Sequence, residues 1–248
     1  MNSAVLPEGM ALAATPDLVV ELAHFAATID TTRLDSAVVE AVKVNILDTM
    51  ACALAGSSAN GIAEIAGLAN EWGGAPQADV WVLGGKVPAQ QAAWVNGAMA
   101  HARDYDDTHD AAVLHAGITA VPAAIAIGQM RGQLSGADLI AAVAAGLEVT
   151  CRLGVAKRLG IVDSGFIFTP LLGYFGATAA AGRAYGLSPD EMLNAFGIVY
   201  SYVAGNHQVT RDASLMKRIQ VGQSAQAGVV AVQMAKRGIR GAQNVFEG

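Results

Sequence analysis

Apolar residues along this chain recur about one turn apart rather than at alternate positions, which predicts helix after helix. Between Asp35 and Ala55, Val38, Val42, Ile46, Met50 and Leu54 form one helical stripe, and Gly56 marks its end. Before it, Thr15-Pro16-Asp17 offers a cap, a proline at the first helical position and an acid for the dipole, so a first helix is expected from there to about Asp30. A third spans about Asn60 to Trp72 and stops at Gly73-Gly74. Asp79 to Gly85 is the one convincing strand-like piece, short enough for a hairpin or an edge at most.

The helical pattern resumes at Pro88 and runs to about Tyr105, then from Val121-Pro122 to Arg131, and from a capped start at Ser135 to about Leu153. Gly160 to Thr169 reads as loop. Pro170 opens a helix to Tyr185, and Ser188-Pro189-Asp190-Glu191 opens the next as a capping box, ending near Gly205. Asn206 to Lys217 is polar and irregular, and a last helix reaches Lys236. The expectation is an all-α, bundle-like domain of about eight or nine helices over residues 1–248, with neighbours in sequence packed antiparallel and no linker between domains.

Composition changes this picture little. Much of the 53% apolar fraction is alanine, which suits close-packed helices better than strands. Acids interrupt the longest apolar runs, at Asp138 and Glu148 for instance, and argue against a membrane span. No secretory signal pattern is visible at the N-terminus. A net charge of −6 with no basic run argues against nucleic acid as partner. Cys52 and Cys151 sit in apolar helical surroundings and read as buried thiols of a cytoplasmic protein.

Candidate chemistry gathers in one place. Asn96 to Gly117 holds three of the five histidines and four aspartates, in a chain only 15% charged. If the Pro88 helix reaches Tyr105, His101, Asp104 and Thr108 share one face. A carboxylate beside an imidazole raises its pKa, fixes its tautomer and can serve proton transfer. Taken on spacing alone, the same residues also suit a solvated helix end. Asp106 to Asp110 further matches a DDxxD pattern that carboxylates use for Mg²⁺, although no second acidic stretch completes it. P-loop, HExxH, GxSxG and GxGxxG patterns are absent.

Three blocks carry a family resemblance: NILDTMACALAG (Asn45 to Gly56), QAAWVNGAMAHARDYDDTH (Gln91 to His109) and MKRIQVGQSAQAGVVAVQMAKRGIRG (Met216 to Gly241). They resemble the 2-methylcitrate dehydratase family, also called MmgE/PrpD, which includes cis-aconitate decarboxylases and iminodisuccinate epimerases. The resemblance implies a homodimer built on a large helical domain with an inserted α/β lid, small di- or tricarboxylate substrates, and no metal or organic cofactor. It carries family active-site residues onto Asp104, Thr108 and Lys217, and onto His115 with one residue of slack in the spacing after Thr108.

On that resemblance His115 is expected to transfer a proton next to a substrate carboxylate, with Asp104 as its orienting partner. Lys217 would clamp a carboxylate or act as a second base, and Thr108, His109, Asp107, Gln208 and Arg218 would contact substrate. Arg103 is a weaker electrostatic candidate. A lysine at a helix start opposes the dipole, so an anion is expected beside Lys217. The implied activity is a dehydratase-like lyase, with epimerisation of a dicarboxylate or a non-catalytic interaction role as alternatives.

The chain departs from the family pattern in three places. Ile167 and Gln220 stand where the family carries histidines, and the sequence ends near where the lid would begin. The third departure implies a separate polypeptide carrying the lid and C-terminal helices, a fragment, or a helical domain kept for binding.

Overall fold

Small side chains set how closely the helices approach. In the computed structural model, which describes residues 17–247, the fold is all-α. Among the described residues nine helices are eleven residues or longer, and two more are single four-residue turns. In chain order they are α1 (Leu18–Thr28), α2 (Ser36–Gly56), α3 (Ile62–Trp72), α4 (Ala89–Ala100), α5 (Gly117–Arg131), α6 (Gly136–Ala156), α7 (Ile161–Ser164), α8 (Phe168–Tyr185), α9 (Pro189–Tyr200), α10 (Gln208–Arg211) and α11 (Met216–Lys236). The strand-like stretch becomes a minimal antiparallel hairpin, Ala78–Asp79 on Lys86–Val87. Asn96 ties it to α4, accepting from Trp81 N and donating to the Asp79 carbonyl, each at 2.9 Å.

The centre of the molecule is α4, α5, α8 and α11. Helix α8 lies against α5, α6 and α11, and α4 against α5 and α11. Eleven of the twelve residues of α4 are buried, so this helix is apolar on every side for a physical reason. Alanine and glycine make the close packing possible. A Cβ on Gly176 of α8 would overlap the Thr150 hydroxyl of α6.

Several boundaries differ from the sequence expectation. Helix α1 is capped by Asp17, whose carboxylate accepts from Val19 N at 2.8 Å; Thr15 and Pro16 lie outside the described residues. Helix α1 ends at Thr28, and a 3₁₀ turn, Thr31–Arg33, precedes α2. Helix α5 starts at Gly117 rather than at the Val121-Pro122 pair, leaving Pro122 inside it. Helix α8 likewise starts before Pro170, which falls in the first turn where no amide donor is needed. Helix α9 has the full capping box at Ser188 and Glu191 but stops at Tyr200, five residues early.

The apolar stripe of α2 does not face the core. Val42 is buried, but Val38, Met50 and Leu54 are exposed; the helix buries Val42, Thr49, Cys52, Ala53 and Gly56 instead. Helix α6, despite its acids, is long and apolar enough to cross a bilayer by length and composition, and half of that apolar window is buried inside the fold. Cys52 is buried and Cys151 half-buried, both free.

Candidate active site

The Asp/His stretch takes its shape from the early end of α4. The helix closes at Ala100, and His101 is its C-cap with backbone φ −87°, ψ −1°. The chain then turns, and Asp104 adopts φ +59°, a left-handed conformation that aspartate tolerates better than most residues. The helical face expected to align His101, Asp104 and Thr108 therefore does not exist. At the far end of the loop Asp107 accepts from Ala116 N at 3.2 Å and Gly117 N at 3.0 Å. It thus satisfies orphan donors at the start of α5.

Between these anchors the loop buries Asp106, at 4% exposure. His101 Nδ1 approaches its carboxylate oxygens at 3.0 and 3.2 Å. His115 Nδ1 lies 3.1 Å from Asp106 Oδ2 and 3.3 Å from the Asp106 carbonyl. The rings of His101 and His115 meet edge-on with centroids 5.1 Å apart. One carboxylate thus faces two imidazoles. His115 is fixed further by its backbone N–H, which donates to Thr169 Oγ1 at 3.1 Å.

The outer end of the cluster is an ion pair. Lys217, in the first turn of α11, donates to Asp104 Oδ1 and Oδ2 at 2.6 and 2.7 Å. Asp104 Oδ1 is also 3.5 Å from His101 Nε2. The anion expected beside a lysine at a helix N-terminus is therefore Asp104. The order of contact is His115, Asp106, His101, Asp104, Lys217. The orienting carboxylate of His115 is Asp106, not Asp104, because the turn after α4 carries Asp104 outward to Lys217.

Charge follows from this layout. Burial works against ionised Asp106, yet hydrogen bonds and charge from His101 and His115 outweigh it and hold the carboxyl far below the usual 3.8. Burial likewise disfavours a charged His115, but Asp106 overcomes it and pushes the imidazole up from 6.5 to about 9. At neutral pH His115 is therefore an imidazolium. With Nδ1 turned to Asp106, Nε2 is the nitrogen left to exchange a proton. Asp104 is also lowered; Lys217 outweighs the effect of burial. Asp107 is raised, chiefly by burial.

The remaining sequence candidates scatter. Asp107, Thr108 and His109 line the opposite face of the loop, over a cavity of about 600 Å³ walled by α1, α2 and α6. His109 Nδ1 accepts from Ala112 N at 3.1 Å and so closes its own turn. Gln208 is exposed and donates to Asp212 at 2.8 Å. Arg218 donates to the Asn60 carbonyl at 3.2 Å, and Arg103 contacts the Ala55 carbonyl and Ser58. Gln208 and Arg218 thus bond to Asp212 and to the Asn60 carbonyl, not to His101 or His115. The DDxxD pattern does not assemble: Asp106 faces the histidines, Asp107 the start of α5, and Asp110 is exposed. His101, Asp106 and His115 do place ligand-type atoms within 4.8 Å of one another. The two histidine contacts to Asp106 have hydrogen-bond lengths, 3.0 and 3.1 Å.

The two family departures are neighbours. Ile167, 8% exposed, is the N-cap residue of α8 and its N–H donates to the Gly205 carbonyl at 2.8 Å. Gln220, 5% exposed, reaches the adjacent Asn206 carbonyl at 3.4 Å. Sequence reasoning missed Asp106 and gave His101 no role of its own. The available signal was the pair of imidazoles flanking DYDD, which need a buried acceptor between them.

The MmgE/PrpD N-terminal domain family matches residues 20–248 of the chain. A cis-aconitate decarboxylase-like protein of Aspergillus oryzae is 28% identical over 92% of this chain and 48% of its own length. The cis-aconitate decarboxylase of Aspergillus terreus is 28% identical over 92% of this chain and 47% of its own. The human cis-aconitate decarboxylase is 31% identical over 65% of this chain and 34% of its own. The chain spans about half the length, or less, of the curated relatives it matches.

Proposed function

Because the chain belongs to the MmgE/PrpD family, we propose that it is the helical component of a lyase acting on a small di- or tricarboxylate, with His115 as proton donor and Lys217 as carboxylate clamp. The observation that carries this reading is the cluster itself: an imidazolium held by a buried carboxylate at one end, and an ammonium held only by a half-exposed one at the other. A substrate carboxylate can compete with Asp104 for Lys217. His115 then delivers its Nε2 proton to the carbon skeleton or to a leaving group.

For decarboxylation, as the names of the relatives suggest, the bond to the departing carboxylate breaks and carbon dioxide leaves. The electron pair stays on the carbon skeleton, the imidazolium proton neutralises it, and His115 recovers a proton from water. For dehydration the same imidazolium protonates the leaving hydroxyl as the C–O bond breaks, while the proton on the adjacent carbon passes to a base and on to solvent, its C–H electron pair forming the double bond. The homodimer, a second polypeptide completing the site, and a cytoplasmic setting belong to the same proposal. Ile167 in place of a family histidine favours a second reading, epimerisation of a dicarboxylate, which needs fewer polar groups.

The test is to isolate the chain from its native host with any polypeptide that co-purifies, and to incubate it with cis-aconitate, 2-methylcitrate and a chiral aminodicarboxylate in D₂O. Proton NMR separates the outcomes. Loss of carbon dioxide or water supports the lyase reading, and deuterium entry with an intact skeleton supports the epimerase. Full turnover in His115→Ala would sink the proton-donor assignment, and a Lys217→Ala variant with unchanged KM and kcat would sink the clamp.

A further inference from the structure

His115 is delivered by a turn with no regular secondary structure. His109 N donates to the Leu114 carbonyl at 2.9 Å, and Val113 N to the His109 carbonyl at 2.8 Å. Within it Val113 takes φ +55°, a conformation that β-branched side chains avoid. Such strain persists only where the surroundings over-determine it. Below the turn, Ala112, Leu114, Ala116 and Phe168 form a small apolar cluster separate from the main core. Gly154 of α6 lets the turn settle there: a Cβ would meet Ala112 Cβ at 2.5 Å and Leu114 Cδ2 at 2.8 Å.

One cation holds the same turn. Lys157, the C-cap residue of α6, donates to the Ala112 carbonyl at 2.8 Å, the Gly154 carbonyl at 3.0 Å and the Ala111 carbonyl at 3.4 Å. Its Nζ also lies 4.9 Å from the centre of the Phe168 ring. The three carbonyls match the three donors of an ammonium. A cation at a helix C-terminus is also favoured by the dipole.

We propose that Lys157 is a positioning residue for His115: its ammonium ties the strained turn 109–114 to the end of α6 and so fixes the imidazole against Asp106. Its bearing on turnover rests on the role given to His115 above. The geometric claim does not, because it can be read from the imidazole without substrate.

The experiment is Lys157→Met, with the His115 ring titrated by NMR and amide exchange followed through residues 112–116. The expected result is a fall in the His115 midpoint of about one unit or more towards its ordinary value. Exchange at the Val113 and His115 amides should rise about tenfold while amides of α4 and α8 hold. Lys157→Arg, which keeps the charge, should recover part of the midpoint. An unchanged midpoint and unchanged exchange in Lys157→Met would overturn the proposal, as would a fall accompanied by faster exchange throughout the fold. Should Lys157→Met not fold, Gly154→Ala leaves the lysine in place and pushes the same turn off α6. It must then lower the midpoint too, and a His115 that titrates as in the parent protein would overturn the proposal. Failure of the lyase reading would show instead as absent turnover with these titration effects intact.

Discussion

Asp104 and Asp106 are two residues apart and occupy opposite electrostatic worlds. The Asp106 side chain is fully buried and faces two imidazoles; the Asp104 side chain is 53% exposed and faces an ammonium. The difference arises from one backbone event, the left-handed turn at Asp104, which sends one carboxylate out and the next but one in. The inner end of the cluster therefore has the properties of a fixed structural ion group, while the outer end remains a pair that a ligand can open. A site that must hold a proton carrier still and yet admit an anion needs both.

The largest expected effects separate the ends by kinetics. His115→Gln should lower kcat by ~10²–10⁴-fold with KM little changed, as removal of a proton-transfer group does. Lys217→Met should act chiefly on KM if the ammonium grips the substrate carboxylate. Steady-state kinetics on the assembled enzyme checks both. A Lys217 variant that loses only kcat would make the outer end part of the chemistry and erase the distinction.

Stability should separate them next. Asp106→Asn leaves the buried His101 and the partly buried His115 without their anion and should cost about 3 kcal/mol or more in denaturant unfolding. Asp104→Asn breaks a solvent-screened pair and should cost less than about 1 kcal/mol. Equal losses would mean that Asp104 is as deeply embedded as its neighbour, contrary to its exposure.

A smaller effect lies in pH. His115 is raised from 6.5 to about 9, so its contribution to stability is fully present below about 6.5 and is lost as pH rises through about 9. Asp106 is depressed from 3.8, so its contribution is present above about 3.8 and is lost as pH falls towards its folded value. Thermal melts should therefore show the inner pair stabilising most between about 3.8 and 6.5, with a decline on the alkaline side that Asp106→Asn removes. The same imidazolium predicts that turnover falls as pH passes about 9.

The contrast between the two aspartates was only half legible in the sequence. Asp104, His115 and Lys217 could be singled out by residue type and family pattern, and the structure joins them in one contact chain. The inner carboxylate was not, because the expected helical spacing through Tyr105 pairs His101 with Asp104 and leaves Asp106 on another face. Helix α4 stops at Ala100 with no glycine or proline to announce it, and beyond it the chain turns so that Asp106 meets both His101 and His115. The same limit applies to α2, where a regular apolar stripe predicts a buried face but Val42 alone of its five residues is buried. Local periodicity gave the helix, and packing decided which side of it mattered. Pro122 and Pro170 show the reverse case, in which strong local start signals are overridden because the preceding residues already find helical partners.

Salt offers the finest discrimination between the ends. Raising ionic strength to 1 M shortens the screening length to about 3 Å, which weakens exposed pairs and leaves buried ones largely untouched. The stability difference between the parent protein and Asp104→Asn should therefore vanish in 1 M NaCl, while the penalty of Asp106→Asn should persist. The same salt should raise the apparent KM of a carboxylate substrate, since chloride competes for the ammonium that Asp104 shares with it. Parallel denaturant melts at low and high salt test the first point, and kinetics at both ionic strengths test the second. Were the Asp106→Asn penalty to shrink as much as that of Asp104→Asn, water and ions would reach the inner carboxylate. His115 would then lose the desolvated partner that keeps its proton in place at neutral pH, and the acid role assigned to it would fail with it.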